Sequence, residues 1–135
     1  MLQDLGDYRG AKELLEKAVA SNEKNFGELH PNTATSYSNL GLVLKDLGDY
    51  QEAKQLLEKA LSSDEKTFGN LHPAIAYECL NLATVYYELG DYPYALELSD
   101  KSVTIFKKNL PEGHPIIETA IWWNEEIKNK LNENK

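Results

Sequence analysis

The chain has 135 residues, 41% of them hydrophobic and 27% charged, which suffices for one soluble domain with its own hydrophobic core. Acidic residues outnumber basic ones by 22 to 14, and the net charge of -8 argues against nucleic acid and anionic membrane surfaces as partners, because both are bound through basic patches. The single cysteine, Cys79, excludes an intrachain disulfide and favours a reducing, cytoplasmic location over a secreted one.

Two short motifs recur along the chain with a period of 42 residues. The first, Leu-Gly-Asp-Tyr, occupies residues 5–8, 47–50 and 89–92. The second, Phe-Gly-x-Leu-His-Pro, occupies residues 26–31 and 68–73 and returns in weaker form as Leu-Pro-Glu-Gly-His-Pro at residues 110–115. Residues 1–41 and 43–83 are identical at 24 of 41 aligned positions, so the chain consists of repeated units.

Each repeat is predicted to form two helices, because its apolar residues recur at helical spacing. Pro31 and Pro73 hold positions typical of a first helical turn. Gly48 and Gly90 are predicted to stop the helices that these prolines begin. No segment shows the alternation of a β-strand. In chain order, the predicted helices cover residues 8–26, 31–47, 50–68, 73–89, 92–109 and 115–131.

The helices carry a pattern that resembles the tetratricopeptide repeat, Trp-x2-Leu-Gly-x2-Tyr followed by Ala-x3-Phe. Residues 37–44 read Tyr-x2-Leu-Gly-x2-Leu and residues 53–57 read Ala-x3-Leu. One repeat later, residues 79–86 read Cys-x2-Leu-Ala-x2-Tyr and residues 95–99 read Ala-x3-Ser. The period of 42 residues, with a His-Pro between repeats, is similar to that of the kinesin-light-chain subclass.

The resemblance implies an all-α fold, a right-handed α-solenoid of antiparallel helix pairs with about six helices. It makes residues 1–135 a single array, with a half repeat at 1–30, full repeats at 31–72 and 73–114, and a C-terminal half repeat or capping helix at 115–135. The helix of the first half repeat lacks the helix with which it would pair. Its apolar stripe is therefore predicted to be partly uncovered, and we expect a homodimer through this N-terminal helix.

No cluster of residues predicts catalysis, a cofactor or a metal site. His30, His72 and His114 hold the same loop position of successive repeats, and neighbouring repeats lie on the order of 10 Å apart. One ion with ligands at about 2 Å cannot bridge that gap. Cys79 holds the packing position of Tyr37 and is predicted to be a small buried hydrophobic residue. The chain is therefore predicted not to be an enzyme.

The candidate binding residues lie on the first helix of each repeat, which lines the concave groove in the tetratricopeptide family. In that family an asparagine directly before the Leu-Gly pair often bonds the backbone of a bound peptide, and Asn39 and Asn81 hold this slot. A side-chain amide can pair with any peptide unit, although both asparagines could simply face water. Helical offsets of three and four add Thr35, Leu42 and Lys45 around Asn39, then Tyr77, Thr84, Tyr87 and Glu88 around Asn81, and Trp123 holds the equivalent slot of the last helix.

Trp123 has a second interpretation, in which it and the adjacent Trp122 close the end of the solenoid. For the whole chain, the sequence predicts a scaffold that binds an extended peptide or a partner protein in the groove. The alternative is a structural spacer or oligomerisation segment of a larger multidomain protein, with no ligand of its own. Neither hypothesis involves a cofactor, nucleic acid or a membrane.

Overall fold

A computed structural model describes residues 2–133, with side chains from Asp7 to Glu133. These residues form six α-helices and no strand, so the all-α prediction is confirmed. In chain order the helices are α1 (Leu2–Phe26), α2 (Pro31–Asp46), α3 (Tyr50–Phe68), α4 (Pro73–Leu89), α5 (Tyr92–Asn109) and α6 (Pro115–Glu133). We call α2, α4 and α6, which follow a His-Pro pair, the first-type helices, and α1, α3 and α5 the second-type helices.

The start of α1 differs from the sequence prediction. The repeat places Gly6 in the position of Gly48, which has a left-handed φ of 86°, and this predicted a turn before residue 8. Helix α1 instead runs through Gly6. The turn at Gly48 follows the complete helix α2. The carbonyl oxygen of Lys45 accepts the N–H of Gly48 there, and that of Leu44 accepts the N–H of Asp49. The residues before Gly6 in the described part of the chain belong to α1 itself, so no separate helix ends at Gly6, and the continuous helix keeps its ladder of backbone bonds.

The chain divides into two compact units, Met1–Thr67 and Phe68–Lys135. In the first unit, Tyr37, Leu44 and Leu57 are fully buried. Helices α2 and α3 approach closely at Gly41, because a Cβ there would lie 2.8 Å from Cγ of Leu57. Ser63 of α3 donates to the carbonyl oxygen of Leu29 at 3.1 Å, so a side chain also holds the loop between α1 and α2.

In the second unit, the core is formed by fully buried residues of α4, α5 and α6, among them Ile75, Leu82, Phe106 and Ile127. Gly90 ends α4 with a left-handed φ of 86°, as the sequence predicted. Asp91 then caps α5, because its carboxylate accepts the N–H of Tyr94 at 3.3 Å. This core leaves one side of α4 and one side of α6 for other contacts.

None of the helices in the described part of the chain is both long and apolar enough to cross a membrane. The proposed division into a half repeat, two full repeats and a final half repeat stays a prediction.

Candidate functional site

The three histidines begin the first-type helices and are hydrogen-bond acceptors there. His30 Nδ1 accepts the N–H of Asn32 at 3.0 Å, and His72 Nδ1 accepts the N–H of Ala74 at the same distance. His114 makes the equivalent bond to the N–H of Ile116 at 3.2 Å. These bonds satisfy backbone donors that a helix start leaves unpaired. Within residues 7–133, no group of three or more His, Cys, Asp or Glu side chains is arranged to hold a metal ion.

In the first unit, the candidate residues lie on the side of α2 that does not face the core. Asn39 and Thr35 are exposed, and Leu42 and Lys45 are half-buried. The Thr35 hydroxyl donates to the carbonyl oxygen of Pro31 at 3.1 Å, so it is satisfied within its own helix. Asn39 thus presents its amide on the open side of α2, between the other candidates.

In the second unit, the equivalent side of α4 is less open. Asn81 is half-buried and Glu88 is exposed. Tyr77 is 45% exposed and meets Phe106 edge to face, with ring centroids 4.8 Å apart. Thr84 is only 7% exposed, and its hydroxyl donates to the carbonyl oxygen of Asn81 at 2.7 Å. Thr84 is therefore buried, and its hydroxyl is satisfied within its own helix.

Four aromatic side chains of the second unit form a continuous row, which we call the aromatic row. Tyr87 of α4 lies 5.5 Å from Tyr92, the first residue of α5, and 5.5 Å from Trp123 of α6. Trp123 in turn lies 5.1 Å from Trp122. All three pairs meet edge to face, an arrangement that the ring quadrupole favours. The row joins two residues predicted from the sequence, Tyr87 and Trp123, to two that the groove prediction did not include.

Carboxylates lie beside the aromatic row. The Tyr87 hydroxyl is 3.5 Å from Oε2 of Glu126, which is half-buried on α6. Burial, followed by the charge of Glu126, raises the pKa of the Tyr87 hydroxyl, so the phenol stays neutral. The positive charge of Lys130 has the opposite effect and lowers the pKa of Tyr87. The Lys130 ammonium lies 3.6 Å from the carboxylate of Glu133.

Glu126 was missed as a site residue, although the sequence contained the signal. It lies 42 residues after Thr84 and three residues after Trp123, so both the repeat period and the helical offset place it on this side of α6. Tyr92 was missed because it belongs to a second-type helix. Its proximity to Tyr87 follows from the short connection between α4 and α5.

Two family models match the chain over most of its length. Both describe the tetratricopeptide repeat, one over residues 1–66 and the other over residues 79–116. The chain belongs to the tetratricopeptide repeat family. The fold class predicted from the sequence, an all-α tetratricopeptide α-solenoid of the kinesin-light-chain-like subclass, is confirmed. A search of curated proteins found no match.

Solved tetratricopeptide structures similar to this chain come from kinesin-light-chain-like proteins. The nearly identical TPR-like repeats of a Podosopora anserina kinesin light chain are 29% identical, with a TM-score of 0.89 over 96% of this chain and 62% of that chain. BtubC (BKLC) from P. vanneervenii, at 22% identity, shares the fold with a TM-score of 0.84, over 94% of this chain and 51% of that one. This chain thus spans between half and two thirds of the length of these structures. Tetratricopeptide repeats generally mediate protein–protein interactions.

Proposed function

We propose that this tetratricopeptide chain is a protein-binding module that holds an extended peptide segment on its first-type helices, and that it is not an enzyme. The observation that carries the proposal is the repeated placement of an asparagine on the side of α2 and α4 away from the core. Asn39 is exposed and Asn81 is half-buried, 42 residues apart. Within the described residues, neither side-chain amide takes part in an internal hydrogen bond, so both can bond a peptide backbone.

The surroundings of the two asparagines favour a peptide with apolar anchors. Leu42 lies one helical turn from Asn39 on α2, and Tyr77 and Tyr87 lie along α4 near Asn81. Half-exposed aromatic rings in such a position contribute strongly to interfaces, because they bury a large area at low cost in conformational entropy.

Replacement of both asparagines tests the proposal. The chain is immobilised, a partner is captured from an extract of the source cells, and its affinity is measured by calorimetry. In the variant Asn39→Ala/Asn81→Ala, binding should weaken by about 1 kcal/mol or more for each lost hydrogen bond. Stability should change by no more than about 0.5 kcal/mol, because the lost groups are not part of the core.

A matched control removes two asparagines elsewhere. Asn70 and Asn132 are exposed and lie outside the candidate residues, so Asn70→Ala/Asn132→Ala should bind as the wild type does. Equal affinity of the Asn39/Asn81 variant and the wild type would remove the groove assignment. A chain that retains no protein at all would instead be a structural spacer.

A further inference from the structure

The aromatic row has an open end. Trp122 is 56% exposed, and the other three members are exposed only in part. Successive rings are inclined by 60°, 76° and 88°, so no ring in the row is covered face to face by its neighbour. The π-face of an indole carries negative potential and attracts cations more strongly than the face of Tyr or Phe.

The charges around the row favour a cationic ligand over an anionic one. Helix α4 contains no Lys or Arg, and the exposed Glu88 follows Tyr87 directly. Glu126 of α6 contacts Tyr87. Lys130, the nearby cation, is next to the carboxylate of Glu133 at 3.6 Å. The chain as a whole has a charge of -8, which favours the approach of a basic segment.

The carboxylate of Glu126 can accept further hydrogen bonds. Its contact with the Tyr87 hydroxyl is 3.5 Å long, beyond the 2.5–3.0 Å that is usual for an O–H···O bond. A carboxylate can accept about four hydrogen bonds, and a guanidinium offers two parallel N–H groups that match its two oxygens. Glu126 therefore provides a charged acceptor beside rings that attract cations.

We infer that the aromatic row and Glu126 together form a subsite for an arginine side chain of the bound peptide. The inference rests on the proposed function, because it names the chemistry of one residue in the peptide that the first-type helices bind. The guanidinium stacks on the exposed indole of Trp122, within about 6 Å of the ring centroid. Its N–H groups point toward the Glu126 carboxylate. Lysine fits less well, since its ammonium is strongly hydrated and cannot bond a carboxylate in this planar, two-pronged way.

The experiment is a selection from a random dodecapeptide library on the immobilised chain. Selected peptides are synthesised, and their dissociation constants are measured by calorimetry. We expect arginine to be enriched at one position, and its replacement by glutamine to weaken binding about tenfold or more, as for a hydrogen bond to a charged group. Both tryptophans belong to the row, so their fluorescence should also change on binding.

Two single-residue variants of α6 form a matched pair for this test. Glu126→Gln should weaken the arginine peptide by about tenfold, whereas Glu125→Gln removes the same charge from an exposed neighbour and should leave affinity unchanged. Trp122→Ala should also weaken binding, and its circular dichroism should match the wild type, because Trp122 is mostly exposed.

Each result supports or overturns the inference. Arginine peptides that lose affinity in Glu126→Gln, but not in Glu125→Gln, support it. Peptides that depend on Asn39 and Asn81 but lack a preferred arginine overturn the subsite and leave the proposed function standing. Arginine peptides that bind Glu126→Gln as well as the wild type overturn the placement. A selection that yields no specific peptide overturns the subsite and the proposed function together.

Discussion

At the scale of single residues, the packing between the two helices of a repeat depends on the sizes of facing side chains. Gly41 lies against Leu57, which is fully buried. One repeat later the equivalent positions hold Ala83 and Ser99, both fully buried, so a larger residue on one helix accompanies a smaller one on the other. Ser99 stands where the repeat pattern has phenylalanine, and its hydroxyl accepts a hydrogen bond from the Asn124 amide at 2.8 Å.

We expect Gly41→Ala to destabilise the chain. The new Cβ would lie 2.8 Å from Cγ of Leu57, which is fully buried, so the overpacking should cost about 1–2 kcal/mol after the gain in helix propensity. Gly10→Ala is the control. Nothing lies within 4 Å of a Cβ at Gly10, so this change should stabilise helix α1 by about 0.5–1 kcal/mol. Urea unfolding measures both, and two changes of the same sign would contradict this account of Gly41.

Tyr37 links stability to alkaline pH. Its hydroxyl donates to Oε2 of Glu23 at 2.6 Å, and burial, then this bond and the charge of Glu23, raise the pKa of Tyr37 far above its ordinary value. The unfolded chain ionises this phenol near pH 10, while the folded chain keeps it protonated. The stabilisation from Tyr37 is thus fully present below about pH 10 and declines as the pH rises above it.

The variant Tyr37→Phe tests this linkage. It removes the phenol that titrates differently in the two states, so its free energy of unfolding should fall less steeply than that of the wild type between about pH 10 and 11. At pH 7 the variant should be less stable by about 1 kcal/mol, because the bond to Glu23 is lost. The other tyrosines are common to both proteins. Parallel pH profiles would show that Tyr37 titrates alike in the folded and unfolded chains.

At the scale of helices, the Phe-Gly-x-Leu-His-Pro motif is a helix start. The rings of Phe68 and His72 stack with centroids 4.4 Å apart, and Gly69 takes a left-handed φ of 81°. His72 then caps α4 through Nδ1, and Pro73 begins the helix, as the sequence predicted. Phe26 and His30 stack in the same way.

Replacement of His72 separates the cap from the stack. His72→Ala should lower the free energy of unfolding by about 1 kcal/mol or more, because the N–H of Ala74 loses its acceptor and Phe68 loses its partner. His72→Asn should lower it less, because asparagine also caps helices well. His114→Ala should cost less than His72→Ala, since the equivalent of Phe68 in that copy is Leu110. Thermal unfolding compares the three variants. Equal losses in His72→Ala and His114→Ala would mean that the stack contributes nothing, and equal losses in His72→Ala and His72→Asn would mean that the cap contributes nothing.

The sequence predicted these helix starts and stops because their signals are local. Proline, glycine and the capping residues act on the backbone of their own turn, so Pro73 and Gly90 could be placed without any tertiary information. The predicted start of α1 was wrong because the same Leu-Gly-Asp-Tyr motif lies inside α1 at Gly6, whereas at Gly48 it follows the complete helix α2. The aromatic row was predicted only in part, because the contact between Tyr87 and Tyr92 depends on the path between two helices.

At the scale of the whole chain, the two terminal helices differ in what they expose. Helix α6 carries exposed Glu125 and Lys128 in the positions that Gly41 and Leu44 hold in α2, where both are buried. This side of α6 is therefore polar. In helix α1, by contrast, Leu14 is 69% exposed.

We expect this exposed side of α1 to pair with a second copy of the chain. In the later second-type helices, the equivalents of Leu14 are the half-buried Leu56 and the buried Leu98. The side that is at least partly covered in α3 and α5 is therefore open in α1. Covering a leucine stabilises a complex by roughly 1.5–3 kcal/mol. Residues 7–26 carry four acidic and four basic side chains, so two such helices can meet without the repulsion that the charge of -8 implies elsewhere.

Light scattering at a concentration of about 100 µM tests the pairing, because a dimer with a dissociation constant of about 10 µM would be mostly formed there. The wild type should have the mass of a dimer, and Leu14→Gln should shift it toward the monomer. Leu71→Gln is the matched control, since Leu71 is similarly exposed but lies on a loop of the second unit. A monomeric wild type would remove the proposed contact. A dimer that persists in Leu14→Gln and dissociates in Leu71→Gln would place the contact elsewhere.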